Sequence, residues 1–288
     1  MPIQLPRYCR PLILCLLGVG SQARADEPAL CLMSYNIRLD TDRDGENRWD
    51  LRKEQLAAQI ASTAPDVLGI QEGLPQQVDF LQNALTEYAF LGVGRDDGAK
   101  AGEHSALFYR TDRVRLLDSG TFWLSETPNA PSFGWGAAHR RICTYARFKD
   151  KTSQATYWVF NTHFDHEAAE ARLNGANLIL DRMKRLARKD EPAFLMGDLN
   201  ATPSSPPIER IKETLADARD HSPAPPFGSE GTFNGFDPSR LAEERIDYQF
   251  FKPDTARVLS YAVRSDLVNQ RYLSDHFPVV VRYQLLDR

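Results

Sequence analysis

The sequence predicts an α/β fold in which mixed β-sheets pack together through their inner faces and helices lie outside. Short apolar runs of strand length recur along the whole chain. Helical patterns separate the early runs, whereas strands follow one another directly from Glu103 to Phe160. This order of elements favours an α/β protein with mixed sheets. No repeat and no linker-like stretch divides the 288 residues, so we expect one domain.

The predicted strands are runs of six to ten residues that are rich in β-branched or aromatic side chains. In chain order they are LCLMSYNI, DVLGIQE, SALFYR, ICTYARF, TYWVFNTH, PAFLMGDLN, IDYQFF and FPVVVRYQLL. The Pro- and Gly-rich stretch SPAPPFGSEG predicts a surface loop.

Three stretches carry a helical pattern. The first, DLRKEQLAAQIAST, begins at a plausible N-cap, Asp50, and Pro65 follows its end. The second is QQVDFLQNAL, and the third is EAAEARLNGANLILDRMKRLARK. The third stretch places an apolar set on one helix face, namely Leu173, Ala176, Leu180 and Met183.

The N-terminus has the features of a cleavable secretory signal. Arg7 and Arg10 precede the apolar run PLILCLLGVG, and small residues follow up to Ala25. We therefore expect a signal peptide over residues 1–25 and a mature domain over residues 26–288, located in the periplasm or secreted. The apolar run is too short to cross a bilayer as a helix, so no transmembrane segment is expected in the mature chain.

The net charge of the mature chain bears on the ligands that it can bind, and its two cysteines bear on whether it contains a disulfide. The full chain has a net charge of −4, and removing residues 1–25 takes away three basic residues and no acidic one, which leaves −7. This balance disfavours long polyanions held by charge alone, although a phosphate substrate held through a metal is compatible with it. Cys31 and Cys143 remain in apolar runs, where buried free thiols are expected and one disulfide is the alternative.

Polar residues stand where the predicted strands end or begin. They are Asn36, Glu72, His163, Asp198, Asn200, Asp247, Asp275 and His276. Strand ends of packed sheets open onto a shared rim, where acidic side chains would repel one another unless a cation joined them. Oxygen ligands without cysteine indicate Mg²⁺, Mn²⁺ or Ca²⁺.

Each of these residues alone has an ordinary structural explanation. Asn36 or Glu72 can be a turn residue, and His163 can be a histidine with only a structural role. His163 and His166 are not expected to bind a metal as a pair, because residues three apart in a strand point to opposite faces. As a set, however, the polar residues predict an active site in which one histidine accepts a proton from water and another stabilises charge or protonates a leaving oxygen.

Six segments carry a resemblance to a known family. SYNIR, GIQEG, NTHFDH, GDLNATP, RIDYQFF and SDHFPV run in order from Met33 to Val279. With them the chain resembles the endonuclease/exonuclease/phosphatase superfamily, which has the DNase I-like fold. GENRWDLRKEQL and HRRICTYARF look like a bacterial secreted branch of it. The resemblance implies a four-layer α/β sandwich and a Mg²⁺-dependent phosphoesterase. We expect the protein to be a monomer.

The resemblance also implies a substrate class and its alternatives. The first expectation is a nuclease-like phosphodiesterase that acts by in-line attack of water, with nucleic acid as a candidate substrate. A sphingomyelinase-like or inositol-phosphatase-like phosphoesterase is one alternative. A catalytically inactive binding module of the same fold is another.

The resemblance assigns a metal and phosphate site. Glu72 is expected to be the principal metal carboxylate, with Asn36 and Asp275 beside it. Asn36, Asn200 and Arg141 are expected to contact the substrate phosphate.

The remaining assignments concern catalysis. His276 corresponds to the catalytic histidine and Asp247 to the carboxylate that orients it. Asp198, with Asn200, corresponds to the pair that orients the attacking water. His163 corresponds to the second catalytic histidine, and Glu103 is its expected partner.

Two further features bear on the substrate. Some nucleases of the family carry an acid two residues after the first asparagine, and here Arg38 occupies that position, which argues against a site of the abasic-site-repair type. Four aromatic residues in polar loops are expected either to stack on a base or to cap the core: Phe133, Trp135, Phe233 and Phe236.

Overall fold

The computed structural model describes residues 29–286 and places them in two β-sheets that pack face to face. The predicted signal peptide lies outside the described residues, so both it and the exported location stay predictions. In the described part of the chain, no helix combines the length and the apolar character needed to span a bilayer.

The first sheet has seven strands. Their spatial order is β10 (Phe227–Gly228), β12 (Ala256–Val263), β13 (Val279–Leu285), β1 (Leu30–Asn36), β2 (Val67–Gln71), β4 (Leu107–Arg110) and β3 (Tyr88–Leu91). β1 pairs with β2 in parallel and with β13 antiparallel, so the sheet is mixed as predicted.

The second sheet has six strands. Their spatial order is β5 (Val114–Trp123), β6 (Ile142–Asp150), β7 (Thr156–His163), β8 (Ala193–Asp198), β11 (Asp247–Phe251) and β9 (Ala216–Asp217). β7 and β8 are parallel, whereas β8 and β11 are antiparallel. The predicted succession of strands from Glu103 to Phe160 is confirmed by β4 to β7.

Helices cover the outer face of each sheet. α1 (Lys53–Thr63) and α2 (Pro75–Ala84) pack on the first sheet, whereas α3 (Ala169–Leu186) and α4 (Pro206–Lys212) pack on the second. Apolar side chains fill the space between each sheet and its helices, and a further apolar layer lies between the two sheets. This central layer includes Leu32, Val67, Val159, Met196 and Val281. The four-layer sandwich is therefore confirmed.

The predicted start of the first helix is wrong. Asp50 lies in a short 3-10 turn, Trp49–Leu51, and its carboxylate binds the Lys53 ammonium at 2.5 Å instead of the free N–H groups of α1. The residue before α1 is Arg52, which has no capping side-chain bond to the helix. The short helix α4 was not predicted, because it begins with two prolines that read as a loop although proline is well suited to the first helical turn.

The two remaining helix predictions are confirmed by α2 and α3. On α3, the side chains of Ala176, Leu180 and Met183 are buried, and Leu173 is half-buried. Cys31 and Cys143 are buried free thiols, so the disulfide alternative is wrong.

The two sheets approach each other closely at Gly69, beneath their polar strand ends. A Cβ atom on Gly69 of β2 would lie 2.7 Å from side-chain atoms of Asn161 and Met196, so only glycine fits there. Asn161 spans the gap, donating to the carbonyl of Ile70 at 2.8 Å and accepting from Gln71 Nε2 at 2.7 Å. These bonds fix the strand ends of one sheet relative to the other.

A buried ion pair at the far edge of the second sheet leads to a stability prediction. Arg245 donates to both oxygens of Asp217, at 3.1 and 2.8 Å, and both side chains are almost fully buried. We expect Asp217→Ala to lower the free energy of unfolding by about 3–5 kcal/mol, because it leaves a buried guanidinium without its anion. Urea unfolding measures this loss.

The matched control is the exposed pair of Arg210 and Glu213. Glu213→Ala should cost less than about 1 kcal/mol, since exposed ion pairs contribute little. Equal losses in the two variants would contradict the assignment of Asp217 as a buried structural partner.

Candidate active site

The polar strand ends open into one cavity with a volume of about 650 Å³. β1, β2, β7 and β8 all end there, and β11 begins there. The predicted site residues that line the cavity are Glu72, Glu103, Arg141, His163, Asp198, Asn200, Asp275 and His276. Asn36 and Asp247 are fully buried and bonded to cavity-lining side chains. The structure thus brings all the predicted site residues together.

The register of the second sheet aligns three of these residues. His163 on β7 is paired with Asp198 on β8, and Asp198 is paired with Asp247 on β11. Residues that pair in register point to the same face of a sheet, so all three side chains face the first sheet. Gly197 precedes Asp198 with φ of 149°, and a Cβ there would lie 2.0 Å from the Thr162 carbonyl oxygen, so the tight strand pairing requires glycine.

Asn36 connects the two sheets at the centre of the site. Its Nδ2 donates to Glu72 Oε1 and to Asp198 Oδ2, each at 2.9 Å. Its amide oxygen accepts from the backbone N–H of Arg38 at 3.0 Å. In this arrangement Asn36 holds two carboxylates together as a donor, and its role as an oxygen ligand for a metal stays a prediction.

Asp247 is hydrogen-bonded to His276, the pairing that the resemblance implied. Asp247 Oδ2 lies 2.9 Å from His276 Nδ1, which leaves Nε2 facing Asp198 Oδ2 at 3.7 Å. Burial lowers the pKa of His276, but the carboxylates of Asp247 and Asp198 outweigh it and raise the pKa well above its ordinary value. The ring is therefore set up to carry a positive charge.

His163 has the opposite character. Its Nε2 lies 3.0 Å from Asn200 Nδ2 and 3.5 Å from Asp198 Oδ2. Burial, with the positive charges of Arg141 and Arg95 nearby, lowers the pKa of His163 well below its ordinary value. This histidine is therefore neutral near pH 7 and can accept a proton.

Glu103 lies near His163 but does not bind it directly. Its Oε2 is 4.0 Å from His163 Nδ1, which is buried and has no hydrogen-bond partner in the described structure. The same oxygen accepts a 2.7 Å bond from Arg95 Nη1. Direct hydrogen bonding between Glu103 and His163 is thus not seen, because Arg95 takes the carboxylate.

The donor set fits a divalent cation. One ligand atom each from Glu72, His163 and Asp198 lie within 4.8 Å of one another, all from buried residues. Burial and the neighbouring Asp247 raise the pKa of Asp198 to about 7, although His276 and Asn36 act against this shift. Burial also raises the pKa of Asp275. Such crowding of buried carboxylates is relieved when a cation joins them.

Arg141 supplies a further donor to the cavity, whereas Nδ2 of Asn200 is already bonded to His163 and to the Phe164 carbonyl oxygen. Arg141 lies 3.5 Å from Asp165 and 3.1 Å from His166 Nδ1, and its Nη1 is buried without a partner in the described structure. The neighbouring Arg140 instead stacks on Phe133 at 4.5 Å. These contacts favour Arg141 as the phosphate-contacting arginine.

The four aromatic residues in polar loops separate into two groups. Phe233 and Phe236 line the cavity, and the Phe233 ring lies 5.1 Å from the His276 ring. Phe133 lies under Arg140, whereas Trp135 packs against the core beneath α3. Only the first pair can contact a substrate at this site.

Several cavity residues were not predicted. Arg38, Arg95 and His139 line the cavity, and His139 stacks on His166 with ring centroids 5.7 Å apart. They lie on irregular loops, where no hydrophobic period marks a position. The GVGRDDG loop that contains Arg95 carries only the turn signal of its glycines.

The fold and the site together define a class of protein. Two mixed sheets in a four-layer sandwich, with a carboxylate–histidine cluster at their strand ends, are characteristic of the DNase I-like fold. The sequence model of the Endonuclease/Exonuclease/phosphatase family matches residues 33–276, and the chain belongs to this family. Members of the family are hydrolases that act on phosphoesters.

Solved structures support the same conclusion. An endonuclease/exonuclease/phosphatase family protein from Bacteroides thetaiotaomicron is 37% identical, with a TM-score of 0.85, and the match covers 91% of this chain and 99% of that one. A mannosyl-6-phosphatase from the same species is 38% identical, with a TM-score of 0.84, and the match covers 90% of this chain and all of that one.

A more distant relative is Nocturnin from Drosophila melanogaster. It is 25% identical over 283 residues, which cover 83% of this chain but only 42% of Nocturnin. The chain thus spans less than half the length of this relative.

Proposed function

We propose that this protein is a Mg²⁺-dependent phosphomonoesterase that removes phosphate from a small polar substrate such as a sugar phosphate. The observation that carries the proposal is the cavity: the catalytic cluster lies in a pocket of about 650 Å³, a size suited to one small molecule. The 38% identity to a mannosyl-6-phosphatase supports the same substrate class.

Glu72 and Asp198 would hold the cation. When bound, it would withdraw charge from the phosphoryl oxygens and from the leaving oxygen. Mg²⁺ is the proposed ion because it accepts a few carboxylates and leaves coordination positions for water and phosphate. Mn²⁺ and Ca²⁺ have the same ligand preference and stay alternatives.

The side chains divide the work of in-line water attack. Asp198 orients the water, and the neutral ring of His163 accepts its proton. His276, held by Asp247, donates from Nε2 to a phosphoryl oxygen and stabilises its developing charge. Arg141 adds donors to the same group, and the phosphate contact expected of Asn200 stays a prediction.

The wall beside His163 offers both donors and acceptors for the hydroxyl groups of a sugar. The ion pair of Arg95 and Glu103 presents a guanidinium and a carboxylate, and His139 and His166 lie on the same wall. Because the charges of the pair offset each other, this wall suits a neutral polyol better than a second anion.

A nuclease-like phosphodiesterase is the second candidate, and this expectation from the sequence stays a prediction. Phe233 favours it, because its ring is 37% exposed and lies beside His276, where a base could stack.

A substrate panel distinguishes the two candidates. The purified protein is assayed with hexose 6-phosphates, inositol phosphates, sphingomyelin, single-stranded DNA and RNA, and bis-p-nitrophenyl phosphate, with Mg²⁺ and with chelator. We expect kcat/KM for a hexose phosphate to exceed that for every diester by at least about tenfold, the effect of one good polar contact. Faster cleavage of a diester would refute the proposal.

Arg95→Gln tests the sugar-facing wall in the same panel. Loss of a hydrogen bond to a charged group should lower kcat/KM for the best sugar phosphate about 10–100-fold. p-Nitrophenyl phosphate, which has no hydroxyls, should be affected much less. Arg140→Gln is the control, since Arg140 stacks on Phe133.

A further inference from the structure

Arg38 lies on the cavity wall in a backbone conformation that its surroundings maintain. Its φ is 55°, in the left-handed region that residues other than glycine seldom adopt. Its N–H donates to Asn36, and its carbonyl oxygen accepts from Arg52 Nη2 and from Gln77 Nε2, each at 2.9 Å. A strained position held by three bonds places the side chain reproducibly at the site.

The guanidinium is fixed as firmly as the backbone. Nε and Nη2 donate to the two oxygens of Asp44, at 3.0 and 2.9 Å. This fork leaves Nη1 to face the cavity. Nη1 lies 3.6 Å from Asp275 Oδ2 and 4.0 Å from Glu72 Oε2, so a permanent positive charge stands between these two carboxylates.

The two oxygens of Glu72 therefore face different partners. Oε2 accepts from the Leu39 N–H at 2.9 Å and faces Arg38. Oε1 accepts from Asn36 Nδ2, which also binds Asp198. Two groups of ligand atoms could hold a cation: Glu72, His163 and Asp198, and Asp198, Asp247 and His276. In the second group Asp247 already binds His276 at 2.9 Å, and Asp275 belongs to neither group but lies on the Arg38 side.

We propose that Arg38 takes the place of a second cation, so that the site binds a single divalent ion and Arg38 supplies the remaining positive charge to the substrate phosphoryl group. In two-metal phosphoesterases the ions lie about 3.5–4 Å apart and clamp the phosphate together. A second cation held by Glu72 and Asp275 would be repelled by the Arg38 guanidinium, which already faces both carboxylates. Nη1 is the guanidinium nitrogen that the Asp44 fork leaves over, and as part of a permanently charged group it can donate to one phosphate oxygen.

Mn²⁺ binding tests the proposal without an activity assay. Isothermal titration and electron paramagnetic resonance of the purified wild-type protein should show one Mn²⁺ per chain with the spectrum of an isolated ion. Arg38→Asp should bind a second Mn²⁺ and show the halved hyperfine spacing of a coupled pair. Two coupled ions in the wild type would overturn the proposal, and so would a folded Arg38→Asp variant that still binds one.

Arg38→Gln tests the phosphate contact and covers the case in which the aspartate variant does not fold. Inhibition by inorganic phosphate should weaken about 10–100-fold, the effect of losing a charged hydrogen bond. Arg43→Gln removes the same charge from a neighbouring exposed position and should leave both Mn²⁺ stoichiometry and phosphate inhibition unchanged. Unaltered phosphate inhibition in Arg38→Gln would contradict the second half of the proposal.

Discussion

His276→Ala is expected to lower kcat about 10²–10⁴-fold, the usual loss when one positioned acid–base group is removed. The reason is structural: the ring is almost fully buried, tied to Asp247 at 2.9 Å, and faces Asp198 in the cavity. Steady-state kinetics with the best phosphoester of the panel measures the loss, and circular dichroism verifies that the variant is folded.

His221→Ala is the matched control, because His221 is exposed and does not line the cavity. It should retain wild-type kcat.

Asp247→Asn tests whether His276 acts in its protonated form. The carboxylate raises the pKa of His276, so its removal lowers that pKa, and the alkaline limb of the pH–rate profile should move to lower pH. If His276→Ala instead kept nearly the wild-type rate, the assignment of His276 as a catalytic histidine would be wrong.

Glu72→Gln is expected to lower kcat/KM at least about a hundredfold, because the cation at a phosphoester site contributes several kcal/mol to transition-state stabilisation. Glu72 is buried, and Asn36 and the backbone N–H of Leu39 bind it in its charged form, so burial is outweighed and its pKa is lowered. It therefore presents a carboxylate to a cation near neutral pH. Metal titration of the variant should show weaker Mg²⁺ binding.

Chelation provides the parallel experiment. Treatment of the wild type with EDTA should abolish turnover, and added Mg²⁺ should restore it. Glu87→Gln, an exposed glutamate outside the cavity, should respond as the wild type does. Full activity in the presence of chelator would exclude a catalytic divalent ion.

The strands and the central cluster were predictable for a physical reason. A strand that is buried on both faces reads as a continuous apolar run, so a carboxylate or histidine at its end is conspicuous. Glu72, Asp198 and His276 were found in this way, and the structure brings them together. The resemblance then distinguished Asp247 as the partner of His276, which spacing alone would not have done.

The loops were not predictable in the same way. Arg38 and Arg95 take their positions from bonds to Asp44 and Glu103, and no periodic pattern in the sequence encodes such pairings. The helix start at Asp50 failed for a related reason, since a nearby lysine competed for the carboxylate. The loop side chains shape the part of the cavity that would select a substrate. The type of reaction could therefore be predicted from the sequence, but the substrate could not.

The position of Asn36 has a consequence for how activity can be lost. Its single amide links the carboxylates of Glu72 and Asp198, which belong to opposite sheets, and Asp198 is 162 residues from Asn36 in the sequence. Neither half of the sandwich, meaning one sheet with its helices, therefore contains all the proposed catalytic residues. A small sliding of one half over the other at the tight crossing near Gly69 would separate the two carboxylates and abolish activity, while each half kept its secondary structure. Turnover should therefore report on the alignment of the two halves more sensitively than any measurement of secondary structure.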